Sequence, residues 1–210
     1  MKSTAIGTGA LATALLTATV LIGDTAQELA PQSFPVVKRV EPFTRLTATR
    51  VKPIEGAVGG GTAAFCPNSL DMCRKFSAFT SHFVTGYTIP LRDKELLILR
   101  TAWLSRGNFV WGRHNITGRK AGLTDEEITR VTQGPEAKGW SAFDAVLLKA
   151  ADELHASRFV TDATWNSLAQ RYAENQLLEV VLIVGNYTLL TMFQNSVGMP
   201  LEAGTRGLPE

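Results

Sequence analysis

From Asn68 onward, apolar residues recur at the three- and four-residue spacing of helices, with polar residues, glycine or proline marking the gaps. Met72, Phe76, Phe79 and Phe83 stand four, three and four apart, which predicts one apolar helix face. Tyr87-Thr88-Ile89-Pro90 ends that helix. A second is predicted from about Arg92 to Ser105, with Leu96, Leu97, Leu99, Ala102, Trp103 and Leu104 giving it a broad apolar surface. Arg106-Gly107-Asn108 reads as a turn, and a third helix runs from about Phe109 to Lys120. Gly122 then stands where a helix C-terminus favours positive φ. Thr124-Asp125-Glu126-Glu127 is a capping box for a short helix that ends before Gly134-Pro135. Ser141 opens a helix to about Ala156, Thr161-Asp162 caps the next, and residues 176–197 form a long, strongly apolar one. No stretch alternates with period two between hairpin turns, so the expected fold class is all-α.

Ahead of these helices the pattern changes. Met1-Lys2 is followed by an uncharged run from Ser3 to Gly23, closed by Asp24. A basic start, an apolar stretch and small polar residues form the layout of a secretory signal peptide, so residues 1–27 are expected to direct export, to the periplasm or the exterior. The run is also long enough to span a bilayer, so an uncleaved anchor stays open, as does a non-functional extension on a cytoplasmic protein. Residues 28–67 hold Pro31, Pro35, Pro42, Pro53 and Gly59-Gly60-Gly61, the composition of an extended arm. The helical domain is expected to cover residues 68–204.

Composition narrows the function classes. The 210 residues are 45% hydrophobic and 19% charged with a formal net charge of +2, an ordinary globular balance. No Lys/Arg cluster exists to neutralise a phosphate backbone, so nucleic acid is not an expected partner. Cys66 and Cys73 do not form Cys-x-x-Cys, which excludes a thioredoxin-type pair and a four-cysteine zinc site. In one helix they would stand roughly 10 Å apart, beyond disulfide reach. Pro67 places Cys66 ahead of the helix, however, so a disulfide and two unpaired thiols both remain open. No His-Glu-x-x-His or comparable spacing points to a metal.

A proton carrier near neutral pH is most easily a histidine, and there are three. His82 sits beside Phe83 on a helix flank without an acidic neighbour in helical reach and reads as structural. His155 lies near a helix end, where the dipole favours a cation and Asp152, three residues back, can pair with it; it too reads as structural. His114 has different company. Glu95, on the preceding helix, falls one turn from Leu91, Ile98 and Leu99, so its carboxylate is expected to point inward. There it must be hydrogen-bonded, paired or protonated. The short turn at 106–108 makes the two helices antiparallel neighbours and can bring Glu95 to His114. A purely structural pair, with Arg113 or Arg100 competing for Glu95, is the equal alternative on spacing alone.

Pro90-Leu-Arg-Asp-Lys-Glu95-Leu-Leu-Ile-Leu-Arg, Trp111-Gly-Arg-His114 and Ala121-Gly-Leu-Thr-Asp-Glu-Glu-Ile128 together resemble the carboxymuconolactone decarboxylase family, which includes alkylhydroperoxidase D. Ala151-Asp-Glu-Leu-His155, Thr161-Asp-Ala-Thr-Trp165 and Val184-Gly-Asn-Tyr187 resemble its single-chain members with an added C-terminal helical half. The resemblance spans roughly residues 68–202. It implies a helical bundle, a homo-oligomer, and Glu95 and His114 at the site. In the peroxidase branch a Cys-x-x-Cys pair lies between these two, at positions that fall here on Gly107 and Val110. Neither residue can supply the thiolate that reduces a peroxide. What remains resembles the decarboxylase branch, which lacks the cysteines and keeps the histidine. The expectation is a cofactor-free lyase acting on a small, oxygenated, carboxylate-bearing ring compound. His114 is its general acid/base, Glu95 orients it, and Arg113 or Arg100 anchors the carboxylate. Trp111, Trp103, Tyr187 and Asn195 would line the pocket. An isomerase on the same site, or a non-catalytic helical oligomer or binding protein, are the competing expectations.

Overall fold

The computed structural model describes residues 70–209. The export segment, the arm and Cys66 lie outside the described residues, as does the Cys73 side chain. Helices follow one another as α1 (Leu70–Ser81), a π-helical turn (His82–Gly86), α2 (Leu91–Leu104), α3 (Asn108–Lys120), α4 (Asp125–Val131), α5 (Ala142–Ser157), α6 (Asp162–Ala169) and α7 (Glu174–Val197). Among the described residues there is no strand, and the fold is all-α.

α2 is the axis of the bundle, with α3, α5, α7 and α4 packed round it. Leu96, Leu97, Ile98, Leu99 and Ala102 are fully buried, and so are the polar Asp93, Lys94, Glu95, Arg100 and Thr101. A helix buried on every side must supply partners for each polar group it carries inside. Asp93 accepts from the Tyr172 hydroxyl at 2.6 Å and pairs with Arg171 at 3.1 Å. Thr101 Oγ1 donates back to the Leu97 carbonyl. Two further sets of partners, on different sides of α2, are described below.

Local signals set the element ends. Thr124 accepts from the Glu127 amide while the Glu127 carboxylate accepts from the Thr124 amide, the reciprocal capping box expected from sequence. Ser141 and Thr161 cap α5 and α6 through their side-chain oxygens. Gly122 has φ 96°, as its position implied. The N-termini of α7 and α2 are tied by Glu179, a buried carboxylate that accepts from the amides of Thr88 and Ile89.

One expectation is corrected. Met72 to Phe83 do not form one buried face: Met72 is 62% and Phe79 47% exposed, and only Phe83 is buried. α1 stops at Ser81, and the wider π turn at His82–Gly86 rotates Phe83 into the core while the residues before it stay outside. His155 is part-buried near the end of α5. Asp152 is taken by Arg100, and burial, with Arg158 close by, lowers the His155 pKa against the pull of Asp152.

α7 is long and apolar enough to cross a bilayer by length and composition, yet it buries Val180, Ile183, Val184 and Tyr187 in the core. Its opposite face, Leu178, Leu182, Leu189 and Met192, is exposed, with open space above Gly185.

Candidate active site

Glu95 sits in the second turn of α2 and is 2% exposed, as the apolar positions around it in sequence require. The turn after α2 is tight: Arg106 takes a left-handed φ of 57°, and the Gly107 amide donates to the Ala102 carbonyl at 2.7 Å. α3 therefore returns alongside α2. Gly118 allows the close approach, since a Cβ there would lie 3.2 Å from the side chains of Leu99 and Leu123 and 4.0 Å from the Glu95 Cβ.

One turn before Gly118, His114 Nδ1 lies 2.7 Å from Glu95 Oε2. Thr117 Oγ1 donates to the same oxygen at 2.8 Å. The other oxygen, Oε1, faces the Lys94 ammonium at 3.7 Å. Burial pulls the Glu95 pKa upward. The His114 charge and hydrogen bond, the Thr117 hydrogen bond and the Lys94 charge outweigh it and leave the carboxyl below its ordinary value. An ionised carboxylate only accepts, so Nδ1–H of His114 donates to it. Among the described residues nothing hydrogen-bonds Nε2, which makes it the nitrogen able to exchange a proton with a ligand.

α7 closes the third side. The Tyr187 ring meets His114 edge-on, with centroids 5.0 Å apart and planes at 87°. Burial raises the pKa of its phenol, the Glu95 charge adds to this, and Arg113 opposes it. The hydroxyl thus stays protonated, a neutral donor beside the imidazole.

The other expected site residues divide. Arg113 remains at the site's edge, part-exposed, its Nη1 donating to Glu202 at 3.1 Å. Trp111 is buried on α3 and packs on Trp103 with centroids 6.0 Å apart. Trp103 also stacks under Arg106, and Asn195 donates to the Arg106 carbonyl, so both hold the α2–α3 turn. Arg100 is on another side of α2. Five residues beyond Glu95 amount to about 140° of helix rotation, and its guanidinium grips both Asp152 oxygens and the carbonyls of Val131 and Thr132. Neither competition for Glu95 nor anchoring of a ligand beside His114 is open to it. Thr117 and Lys94 were not singled out from sequence. Thr117 stands one turn after His114, a signal that was available; Lys94 adjoins Glu95 in sequence, where helical spacing gives no hint of contact.

The stretch between the two site residues is filled. Gly107 is buried, and a Cβ there would lie 2.5 Å from Thr191 Oγ1 of α7. Val110 is 2% exposed. Among the described residues, no group of three or more His, Cys, Asp or Glu is placed to hold a metal ion.

An all-α bundle of this kind is also the fold of several solved proteins. The chain has the carboxymuconolactone decarboxylase/AhpD-like fold. An AhpD-like protein of unknown function from Agrobacterium tumefaciens matches with a TM-score of 0.56 at 15% identity, over 63% of this chain and 92% of that one. A peroxidase-related protein from Silicibacter sp. matches with a TM-score of 0.57 at 12% identity, over 64% and 72%. The debrominase Bmp8, in a complex with 2,3,4-tribromopyrrole, matches with a TM-score of 0.58 at 12% identity, over 82% and 95%. No protein-family model and no curated protein matches the sequence.

Proposed function

We propose that this protein is a cofactor-free lyase of decarboxylase type, acting by proton transfer on a small oxygenated ring compound that bears a carboxylate. The observation that carries the reading is His114, held by an ionised Glu95 through Nδ1 while Nε2 is left without a partner among the described residues. Arg113, which also pairs with Glu202, supplies the cation for the substrate carboxylate. As carbon dioxide leaves, its bonding electron pair passes into the ring and is delocalised onto the ring oxygen, where the Tyr187 hydroxyl donates. Nε2 of the imidazolium then protonates the carbon. The solved debrominase with a halogenated pyrrole supports a small cyclic ligand in this fold. The missing thiols at Gly107 and Val110 direct the chemistry away from peroxide reduction.

The test is a panel of cyclic unsaturated carboxylates assayed for carbon dioxide release and for isomerised ring products. Turnover of one member by the wild-type chain, lowered by roughly 10²- to 10⁴-fold in folded His114→Ala, is the expected result. A folded wild type inert on the panel favours a binding protein. Ring isomerisation without carbon dioxide release favours an isomerase.

The exposed α7 face supports a second proposal, a homo-oligomer in which Leu178, Leu182, Leu189 and Met192 meet a second copy across Gly185. Leu189→Glu should lower the mass measured by light scattering to that of one chain. An unchanged mass would place any interface elsewhere.

A further inference from the structure

Lys94 is a lysine in an unusual position. The residue is 5% exposed, its Nζ donates to the Phe83 carbonyl at 3.1 Å, and it stands 3.7 Å over the Tyr87 ring. The carbonyl and the ring would suffice to settle a buried ammonium in the π turn. It also lies 3.7 Å from Glu95 Oε1, the oxygen that neither His114 nor Thr117 reaches. That oxygen is where a proton would sit if Glu95 became neutral. A neutral Glu95 would accept more weakly from Nδ1–H and would no longer balance a charge on the imidazole.

We propose that Lys94 is a positioning residue for the Glu95–His114 pair, its ammonium barring a proton from Glu95 Oε1 so that His114 stays turned with Nδ1 to Glu95 and Nε2 to the substrate. The groups facing Glu95 are Lys94 on its own helix, His114 and Thr117 from α3, and Tyr187 from α7; Arg113 lies behind Tyr187, and Tyr87 behind Lys94. Arg113 is part-exposed, so beside the His114 imidazole itself Lys94 is the buried cation next to the carboxylate. Burial lowers the pKa of its ammonium and Glu95 raises it, the reciprocal of its effect on Glu95.

The inference rests on the proton-transfer reading, but its test reads protonation and not turnover, so the two can fail separately. Lys94→Gln retains a donor for the Phe83 carbonyl and loses the charge; Lys94→Arg retains the charge. Carbon-13 titration of the Glu95 carboxyl should show its midpoint higher by more than about 0.3 pH unit in Lys94→Gln, at least about a twofold change in proton affinity, and restored toward wild type in Lys94→Arg. A Lys94→Gln midpoint within about 0.3 unit of wild type would overturn the proposal and leave Lys94 as a clamp on the π turn. Should Lys94→Gln fail to fold, the reciprocal experiment decides. In lysine-labelled protein, Glu95→Gln must lower the Lys94 midpoint, and an unmoved midpoint refutes the coupling.

Discussion

α2 carries the buried member of two acid–base pairs on different sides, and they differ in what they leave unused. Arg100 engages both oxygens of Asp152 and two carbonyls at the end of α4 through Nε, Nη1 and Nη2. Its partners are a carboxylate and backbone carbonyls, and a guanidinium offers donors only. Glu95 is equally enclosed, but its partner is an imidazole, bound among the described residues through one nitrogen only. The first arrangement can only hold α2, α4 and α5 together. The second holds α2 to α3 and still leaves an atom for chemistry. Burial of charge alone therefore does not distinguish the two; a nitrogen left without a partner among the described residues does, and the proposed function rests on it.

The contrast predicts a large structural effect on the Arg100 side. Arg100→Met leaves Asp152 and two carbonyls without their donor and should cost about 3 kcal/mol or more, measured by urea unfolding. A loss below about 1 kcal/mol would mean that the pair is as weakly coupled as a surface one. Gly107→Ala, in the turn that feeds α3, sets a methyl 2.5 Å from Thr191 Oγ1 and should cost about 1–3 kcal/mol. Thr191→Ala in the same chain should recover much of that loss; the absence of recovery would put the strain in the backbone instead.

The smallest effect is the pH dependence of the Glu95 side. The folded Glu95 pKa lies below the ordinary 4.5, so its contribution is fully present above 4.5 and is lost as pH falls through the lowered value. Urea unfolding between neutral pH and about pH 3 should show a shallower loss in His114→Ala, which removes two of the causes of the lowered pKa. An identical slope in both proteins would show that the pair is not coupled in the fold.

These differences also explain what sequence could and could not disclose. Periodicity and caps were enough for α2 to α7, because Thr124, Ser141 and Thr161 act locally. The inward face of Glu95 followed from its apolar neighbours one turn away, and its meeting with His114 from the short turn at 106–108. Arg100 was misplaced because its spacing from Glu95 fixes its direction only if α2 is buried all round, with a partner for it on α5, which is a tertiary fact. Lys94 was overlooked for a related reason: adjacent residues on a helix diverge, and only two long side chains bending toward one enclosed point bring them together. The face of α1 misled because three phenylalanines and a methionine at helical spacing define amphipathicity without naming what covers it.

The central claim is that Nε2 of His114 moves a proton to or from a bound ring. It is tested most directly by proton NMR of candidate cyclic carboxylates incubated in D2O with the wild-type chain and with folded His114→Gln. Deuterium should enter one ring carbon with wild type and at least about 100-fold more slowly with the variant. Equal incorporation by the two proteins would contradict it.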